Sequence, residues 1–246
     1  MYNFFVNELD TINSKIVISG ADYNHAVNVL RLKIGDKVSV SINGKNNLCS
    51  ICEITDDKLF LEIVEKDFID TSLPIKIALF QGLPKFDKME LIIQKAVELG
   101  AEEIIPVQMK RCVVKIEDKK MASKTQRFNA ISESAAKQCK RAIIPKVFDA
   151  LPLKLAIEKA KDFDHVIVPY ESHNGMENTK NALSMIKGGD KIAVFIGPEG
   201  GFDDSEIALL KDAGAKTISL GKRILRTETA AITAISMLML HAEMNI

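Results

Sequence analysis

The sequence predicts a two-domain protein of the α/β class, in which a small β-barrel precedes a larger domain of alternating strands and helices. Residues 1 to about 70 contain several short strand patterns without crossover helices, as small barrels do. After Pro74 the strand and helix patterns alternate, which is typical of a parallel sheet covered by helices. Near the C-terminus, two glycine-centred segments each follow a short apolar run. Loops at that position commonly form the ligand pockets of α/β proteins.

The first predicted domain, residues 1–72, consists mainly of short strands. Its strand patterns, rich in β-branched or alternating residues, are Lys15–Ser19, Lys37–Ile42, Asn47–Ile54 and Leu59–Val64. Asn43-Gly44 predicts a tight turn between two of them, and one short helix is expected around residues 23–30. A small barrel of short strands is common in RNA-binding modules, although many small barrels bind no nucleic acid.

The second predicted domain, residues 73–246, has the α/β pattern. Its apolar strand segments are Ile75–Phe80, Ile104–Val107, His165–Pro169 and Ile192–Ile196. Capping boxes are predicted at two helix starts, Asp87 with Glu90 and Asp203 with Glu206. A long polar helix is expected over residues 124–138.

The last predicted helix, Glu228 to about Met244, has almost no polar face. A helix that is apolar all round is buried on all sides. At this position two interpretations are equally open, a central core helix and a helix at a subunit interface.

Bulk composition restricts the class of protein. The 246 residues include 33 basic and 33 acidic side chains and are 47% hydrophobic, as in ordinary soluble domains. The first residues, Met1–Val6, lack the basic and apolar regions of a signal peptide. No apolar run is long enough to span a membrane. Together with four cysteines and no export signal, these features predict a cytoplasmic protein with reduced thiols and no membrane partner.

The two glycine segments do not match the common phosphate-binding loops. The first reads Ile196-Gly197-Pro198-Glu199-Gly200-Gly201-Phe202, and the second runs from Leu220-Gly221 to Ala230. The first segment lacks the Lys-Ser/Thr of a P-loop and the glycine spacing of a dinucleotide-binding fingerprint. Because Glu199 would repel a phosphate, a ligand with a cationic centre suits this loop better. The alternative is a plain tight turn.

These motifs resemble those of the SPOUT methyltransferases, and more narrowly the small-subunit ribosomal RNA uridine-N3 methyltransferases of the RsmE type. The segments that carry the resemblance are Ile196–Phe202 with Glu206, Leu220–Ala230, Gln81–Lys85 with Asp87–Glu90, Lys95–Gly100, Ala135–Arg141 and His25 through Arg31. The resemblance covers nearly the whole chain. It implies a C-terminal SPOUT domain with a deep trefoil knot around a parallel sheet, preceded by a small PUA-like β-barrel. It also implies a homodimer, with the last helix at the dimer interface.

The resemblance further implies a cofactor and the residues that hold it. The cofactor is S-adenosyl-L-methionine, and the product is S-adenosylhomocysteine. The implied cofactor-binding residues are Pro169, Glu171, Ile196, Gly197, Pro198, Glu199, Gly200, Gly201, Leu220, Gly221, Arg223, Ile224, Leu225 and Thr229. An apolar slot with backbone donors and acceptors suits adenine, and a sulfonium tolerates a nearby carboxylate.

The implied reaction is an in-line transfer of the methyl group from sulfur to uridine N3 of 16S (small-subunit) ribosomal RNA. N3 carries an imide proton, so a nearby cation would favour the nucleophilic anion. Arg226 is the candidate for that cation, and Glu228 or a phosphate-bound water is the candidate proton acceptor. The alternative for this segment is a simple helix start with Thr227 as N-cap.

Candidate RNA contacts come from the resemblance and from a locally basic region, residues 110–146. That region has eleven basic and three acidic side chains, and it is interpreted as either a solvated face or a phosphate-binding surface. The predicted RNA-binding residues are His25, Arg31, Lys85, Arg111, Lys137, Gln138 and Arg141. The lone Cys49-x-x-Cys52 and the scattered histidines predict no metal site.

The sequence therefore predicts a methyltransferase that acts on small-subunit ribosomal RNA, or on the assembled small subunit. Three alternatives stay open at this point. One is a methyltransferase of the same fold acting on another RNA, and another is a non-catalytic RNA-binding assembly factor. The last, a nucleotide-dependent oxidoreductase, is disfavoured by the missing pyrophosphate fingerprint.

Overall fold

A computed structural model of the chain describes residues 1–7, 11–12, 15–114, 118–170 and 175–246. These residues form two compact units: residues 1–72 with 136–144, and residues 73–135 with 145–246. The segment 136–144, which the sequence analysis places in the second domain, therefore belongs to the first unit. The division into domains at residues 72 and 73 stays a prediction.

The N-terminal unit contains a six-stranded, mainly antiparallel sheet. Its strands are β1 (Asn3–Phe5), β2 (Thr11–Ile12), β3 (Lys15–Ser19), β4 (Lys37–Ile42), β5 (Lys45–Ile54) and β6 (Lys58–Ile69). They lie in the order β1-β4-β5-β6-β3-β2, and only the β1–β4 pair is parallel. The four strands predicted from sequence are confirmed, whereas β1 and β2 were missed. Asn43 and Gly44 both have positive φ, at 50° and 76°, which confirms the tight turn between β4 and β5.

One helical segment follows β3 in this unit. Helix α1 (Gly20–Asn24) continues into a single π-helical turn at residues 25–29, which confirms the short helix expected there. Beside it, the apolar side chains of Phe4, Ile18, Val38 and Leu61 are buried in one cluster. This cluster forms the core of the N-terminal unit.

Segment 136–144 is held in the N-terminal unit by buried polar groups. The side-chain amide of Asn46 donates a hydrogen bond to the carbonyl of Lys140 (3.0 Å), and that of Asn3 donates to the carbonyl of Arg141 (3.2 Å). Both asparagines are buried. Because a buried carbonyl without a partner is costly, these contacts satisfy the backbone of the segment. It is therefore an integral part of the unit.

The C-terminal unit contains a seven-stranded parallel sheet. The strands are β7 (Lys76–Gly82), β8 (Ala101–Gln108), β9 (Lys146–Val147), β10 (Leu151–Pro152), β11 (His165–Pro169), β12 (Lys191–Ile196) and β13 (Lys216–Ile218). Their order is β10-β8-β7-β12-β11-β13, with β9 also paired to β8, and every pair is parallel. The α/β class and the four strands predicted here are confirmed.

Helices follow most of these strands. They are α2 (Phe86–Glu98), α3 (Asp118–Cys139), α4 (Leu153–Ala160), α5 (Glu177–Ser184), α6 (Asp204–Asp212) and α7 (Thr227–Asn245). Between the helices the central strands are apolar and almost wholly buried, as expected for parallel strands covered on both faces. The rings of Phe80 on β7 and Phe195 on β12 stack with centroids 4.4 Å apart, at the centre of this core.

The order of the last strands brings the predicted ligand loops to one edge. From β12 the chain passes over β11 to reach β13, and it then returns so that α7 packs against β12, β7 and α2. The carboxyl ends of β11, β12 and β13 thus lie side by side, because these strands are parallel. The trefoil knot implied by the resemblance stays a prediction.

Two predicted helix caps are wrong and one is confirmed. Helix α2 begins at Phe86 with Lys85 at the N-cap position, so Asp87 lies in the first turn and does not cap it. Helix α7 begins at Thr227 with Arg226 at the N-cap position, so Thr227 is not the N-cap. Asp203 and its partner three residues later do form the predicted capping box of α6.

Helix α7 is not buried on all sides within one chain. Its buried apolar residues are Ala231, Ala234, Ile235, Leu238 and Ala242. In contrast, Leu240 is 47% and Met244 is 71% exposed. The core-helix interpretation therefore holds for one face of α7 and leaves a second apolar face open. No helix in the described ranges is long and apolar enough to cross a membrane.

Candidate active site

A cleft of about 420 Å³ lies at the carboxyl ends of β11, β12 and β13. It is lined by Arg111, Pro169, Tyr170, Ile196, Gly197, Pro198, Glu199, Gly200, Gly201, Phe202, Asp204, Ser219, Leu220, Gly221, Arg223, Ile224, Leu225, Thr227 and Ala230. Most of these residues belong to two loops, which we name the first glycine loop (residues 197–202) and the second glycine loop (residues 219–225). Pockets for small ligands have volumes of about 300–1,000 Å³, so the cleft is large enough for one.

The first glycine loop folds back on itself directly after β12. The amide of Gly201 donates to the carbonyl of Pro198 (2.9 Å), which closes a tight turn. A Cβ at Gly197 would lie only 3.2 Å from the carbonyl carbon of Gly201 and the nitrogen of Phe202. Because these are backbone atoms, they cannot move aside without opening the turn. The loop therefore leaves little room for a side chain at residue 197.

The segment after β8 is bonded to the first glycine loop and to the start of α6. Arg111 donates to the carbonyl of Gly200 (3.3 Å) and lies 3.7 Å from the carboxylate of Asp203. The amide of Lys110 donates to Glu206 (2.7 Å), and its ammonium group donates to Asp203 (3.0 Å). Arg111, a predicted RNA contact, thus lines the cleft and holds the loop.

Asp203 makes the stability of this region depend on pH. Its pKa is lowered from 3.8 to about 2, mainly by the hydrogen bond from Ser205 and then by Lys110. A carboxylate with a lowered folded-state pKa stabilises the fold above its unfolded pKa, and that contribution is lost as pH falls through the folded value. We therefore expect Asp203→Asn to be less stable than the natural chain near neutral pH. The difference should vanish between pH 3.8 and about 2, as measured by urea unfolding across this range. An equal difference at pH 2 would contradict the assignment.

The second glycine loop is anchored by helix α5. The hydroxyl of Thr179, which is buried, donates to the carbonyl of Ser219 (2.8 Å) and accepts from the amide of Ser219 (3.0 Å). The amide of Gly221 then donates to the Ser219 hydroxyl (3.2 Å). The two hydrogen bonds between Thr179 and the backbone of Ser219 fix the first residue of the second glycine loop. Sequence reasoning missed Thr179 because forty residues separate it from the loop.

The first turn of α7 is joined to the first glycine loop by Thr227. Its hydroxyl donates to the carbonyl of Gly197 (2.6 Å) and accepts from the side-chain amide of Gln81 (2.9 Å). Gln81 is fully buried at the end of β7. The hydroxyl therefore ties three chain segments together beneath the cleft, a role that differs from the predicted N-cap.

An ion triad lies beside the same junction. The ammonium nitrogen of Lys88 is 3.5 Å from the Glu199 carboxylate and 3.2 Å from the Glu228 carboxylate. Burial alone would lower the pKa of Lys88, but the two carboxylates outweigh it and the pKa is raised. Burial alone would raise the pKa of Glu199, but backbone hydrogen bonds, one of them from the Lys85 amide, together with Lys88 lower it. Both groups are therefore held in their charged forms.

The structure brings most of the predicted cofactor-binding residues together. Those that line the cleft are Pro169, Ile196, Gly197, Pro198, Glu199, Gly200, Gly201, Leu220, Gly221, Arg223, Ile224 and Leu225. Thr229 is exposed on α7 and does not line it, and Glu171 lies outside the described residues. Sequence reasoning missed the other lining residues, such as Tyr170 and Phe202.

The predicted catalytic pair stands at the start of α7. Arg226 is exposed at the N-cap position, next to the cleft residue Leu225. The Glu228 side chain is only 15% exposed and is engaged by Lys88. The sequence analysis names Glu228 as a candidate proton acceptor and does not single out Lys88, the cation that contacts it.

The predicted RNA contacts differ in their surroundings. His25, Arg31, Lys85 and Gln138 are exposed, and Arg31 adopts a positive φ of 55°. Lys137 is paired with Asp22 (2.8 Å), and Arg141 is only 8% exposed. The exposed members are therefore more accessible to a polyanion than Lys137 and Arg141. In the basic region, residues 115–117 are not described. The part of the chain that is described contains no cluster of three side chains able to hold a metal ion.

Comparison with known proteins identifies the family. Residues 71–239 match the family model of an RNA methyltransferase domain. This chain belongs to that RNA methyltransferase family. Residues 18–64 match the RNA methyltransferase PUA domain, which agrees with the PUA-like N-terminal part implied by the glycine-loop motifs.

Two relatives in this RNA methyltransferase family carry the same descriptive name. Ribosomal RNA small subunit methyltransferase E of Bacillus subtilis is 37% identical over 231 residues, covering 92% of this chain and 90% of that protein. Its counterpart from Mesomycoplasma hyopneumoniae is 32% identical over 232 residues, covering 94% and 96%. The resemblance drawn from the two glycine motifs is confirmed.

Solved structures of similar proteins contain a ligand. A methyltransferase from Legionella pneumophila with bound S-adenosylmethionine matches with a TM-score of 0.82 at 31% identity, covering 97% of this chain and 96% of that one. Ribosomal RNA small subunit methyltransferase E from Neisseria gonorrhoeae, also bound to S-adenosylmethionine, matches with a TM-score of 0.81 at 28% identity, covering 98% and 97%. The two-part fold, a PUA-like unit and a parallel-sheet methyltransferase unit, is thereby confirmed.

Proposed function

We propose that this protein transfers the methyl group of S-adenosylmethionine to N3 of a uridine in 16S (small-subunit) ribosomal RNA. The observation that carries the proposal is the cleft, in which both glycine loops meet at the carboxyl ends of three parallel strands. The small subunit as target is taken from the names of the relatives. The uridine and its N3 position rest on the resemblance alone.

The chemistry of the cleft fits S-adenosylmethionine. Glu199 and Asp204 supply carboxylates near which a sulfonium and an ammonium group are tolerated. Arg111 and Arg223 supply cations for a carboxylate. The main chain of the second glycine loop, held by Ser219, offers donors and acceptors to a flat heterocycle. No lysine follows the first glycine loop as it does in triphosphate-binding P-loops.

We propose a separate role for each of the two loops and for the start of α7. The first glycine loop forms one wall of the ligand site, and the second forms the adenine wall. S-Adenosylmethionine, when bound, supplies a methyl group on a cationic sulfur for an in-line displacement. Arg226, exposed beside Leu225, stabilises the uracil anion, since a fixed cation favours the charged form of a neighbouring group. Because Glu228 is engaged by Lys88, we assign the N3 proton to water.

The RNA partner is expected to contact the exposed candidates. His25, Arg31 and Gln138 offer polar groups on the N-terminal unit. A positive φ at a residue other than glycine costs energy and is common at functional positions, which supports Arg31 as a contact. We propose the assembled small subunit, or its free RNA, as the substrate, and the cytoplasm as the location.

We also propose that the protein is a homodimer through the open apolar face of α7. Leu240 and Met244 on α7, and Leu91 on the neighbouring α2, expose large apolar surfaces, which are costly in water. The natural chain is expected to have twice the mass of the 27.2 kDa monomer in solution. Leu240→Glu should yield monomers, because it would bury a charge at the interface. Light scattering after size exclusion measures both.

A matched control separates dimer loss from general damage. Leu209→Glu changes a leucine of similar exposure on α6 and should remain dimeric. A natural chain that is monomeric at micromolar concentration would refute the homodimer.

The proposed reaction is tested by incubating the protein with labelled S-adenosylmethionine and small subunits that lack the modification. N3-methyluridine, identified by mass spectrometry of the nucleosides, is the expected product. A different methylated nucleoside would redirect the proposal to another base or RNA. Tight cofactor binding without methyl transfer to any ribosomal RNA would overturn the assignment of ribosomal RNA as the substrate. Absence of cofactor binding would favour the non-catalytic assembly factor.

A further inference from the structure

We infer that Lys88 is a positioning residue, whose ammonium group holds Glu199 and Glu228 together and so fixes Arg226 against the first glycine loop. The inference rests on the proposed methyl transfer and extends it, since Lys88 lies outside the cleft lining and the glycine motifs. The ammonium nitrogen of Lys88 on α2 contacts carboxylates from two different segments, the first glycine loop and the first turn of α7.

The two carboxylates belong to elements that must keep a fixed separation. Glu199 lies in the first glycine loop, and Glu228 lies in the first turn of α7, two residues after Arg226. Without a cation between them, two nearby carboxylates repel each other. The Lys88 ammonium group lies close to both carboxylates and attracts each of them, which offsets their repulsion. Its side chain is about one-quarter exposed, and that of Glu228 less so, so solvent screens this bridge less than an exposed pair.

A second contact between α7 and the first glycine loop does not depend on Lys88, so the Lys88 bridge is not needed for folding. The Thr227 hydroxyl already joins α7 to the carbonyl of Gly197, with Gln81 behind it. Those neutral bonds persist when Lys88 is replaced. Loss of Lys88 should therefore leave the chain folded and change only the placement of Arg226 and the pKa of Glu199.

The kinetic test compares Lys88→Met with the natural protein. Since small misplacements of catalytic groups cost up to about 100-fold, Lys88→Met should lower kcat by roughly 10- to 100-fold with little change in the dissociation constant of S-adenosylmethionine. Lys88→Arg keeps the charge and should recover most of the rate. Lys95→Met is the matched control, because Lys95 forms an exposed pair with Glu98 on the same helix; it should behave as the natural protein.

A double-mutant cycle shows whether Lys88 acts through Glu228. If it does, Lys88→Met combined with Glu228→Gln should be no slower than the slower single variant, because both remove one bridge. Additive losses would overturn the inference. So would a kcat for Lys88→Met within twofold of the natural value.

A titration of the Glu199 carboxyl carbon by NMR tests the bridge without turnover. Among the described residues, Lys88 on α2 forms the ion pair with Glu199 and also contacts Glu228 on α7, and the Lys85 amide donates to Glu199. In Lys88→Met the Glu199 titration should move to higher pH, because a cation is lost while an anion remains. An unchanged titration would refute the bridge even if the protein methylates no RNA. Failure of methyl transfer by the natural protein would instead refute the proposed function.

Discussion

Replacing Arg226 by alanine is expected to lower kcat for methyl transfer by about 100- to 1,000-fold, with nearly unchanged affinity for S-adenosylmethionine. Removal of one preorganised group that stabilises developing charge typically costs this much. Arg226 is exposed at the N-cap position of α7 and does not line the cleft, so its loss should spare the cofactor site. Single-turnover rates on small subunits and calorimetric titration of the cofactor measure the two effects separately.

Two further variants sharpen the Arg226 experiment. Arg226→Lys keeps a positive charge and should retain part of the rate, since a cation is required and its shape matters less. Lys211→Ala removes a cation from the last turn of α6 and should leave the rate unchanged. Normal turnover by Arg226→Ala would show that another cation stabilises the uracil anion.

The fold could be predicted where local sequence patterns are strong. It could not be predicted where contacts between distant residues determine the packing. The buried strands β7, β11 and β12 are short apolar runs. Such runs can be recognised directly in the sequence. Segment 136–144 packs with the N-terminal unit through Asn3 and Asn46, and these hydrogen bonds span 138 and 94 positions of the chain. No local pattern carries that information.

The same distinction holds for the candidate site. The glycine loops were found because glycine spacing is a local signal, and their residues do line one cleft. Lys88 was missed because its partners lie 111 and 140 positions further along the chain. Arg111 was predicted as an RNA contact because it lies in a basic region beside the methyltransferase motifs; in the fold it also donates to the carbonyl of Gly200. Charge density in a segment does not show which charges are already paired.

Helix starts show how a tertiary contact overrides a local preference. Threonine is a common N-cap residue, which made Thr227 the natural choice at the start of α7. In the fold its hydroxyl is instead committed to Gly197 and Gln81. The hydroxyl gains a buried, two-sided hydrogen bond there, and the helix begins without a side-chain cap.

Gly82→Ala is expected to weaken cofactor binding at least about tenfold and to lower the free energy of unfolding by about 1–3 kcal/mol. Gly82 ends β7 beneath the first glycine loop. A Cβ there would lie 2.7 Å from both the nitrogen and the Cδ of Pro198 and 2.9 Å from the sulfur of Met109. The sulfur can move, but Pro198 cannot shift without carrying the loop away from the cleft. Calorimetry and urea unfolding measure the two losses.

Gly214→Ala separates the loss of cofactor binding from the loss of stability. Gly214 follows α6 with a φ of +88° and has no atom within 4 Å of an added Cβ. Alanine there is strained by its backbone conformation alone, which costs on the order of 1 kcal/mol, and it leaves the cleft intact. This control should therefore lose stability and keep its cofactor affinity. If Gly82→Ala shows the same pattern, the first glycine loop adapts to the added methyl group and does not depend on close packing against β7.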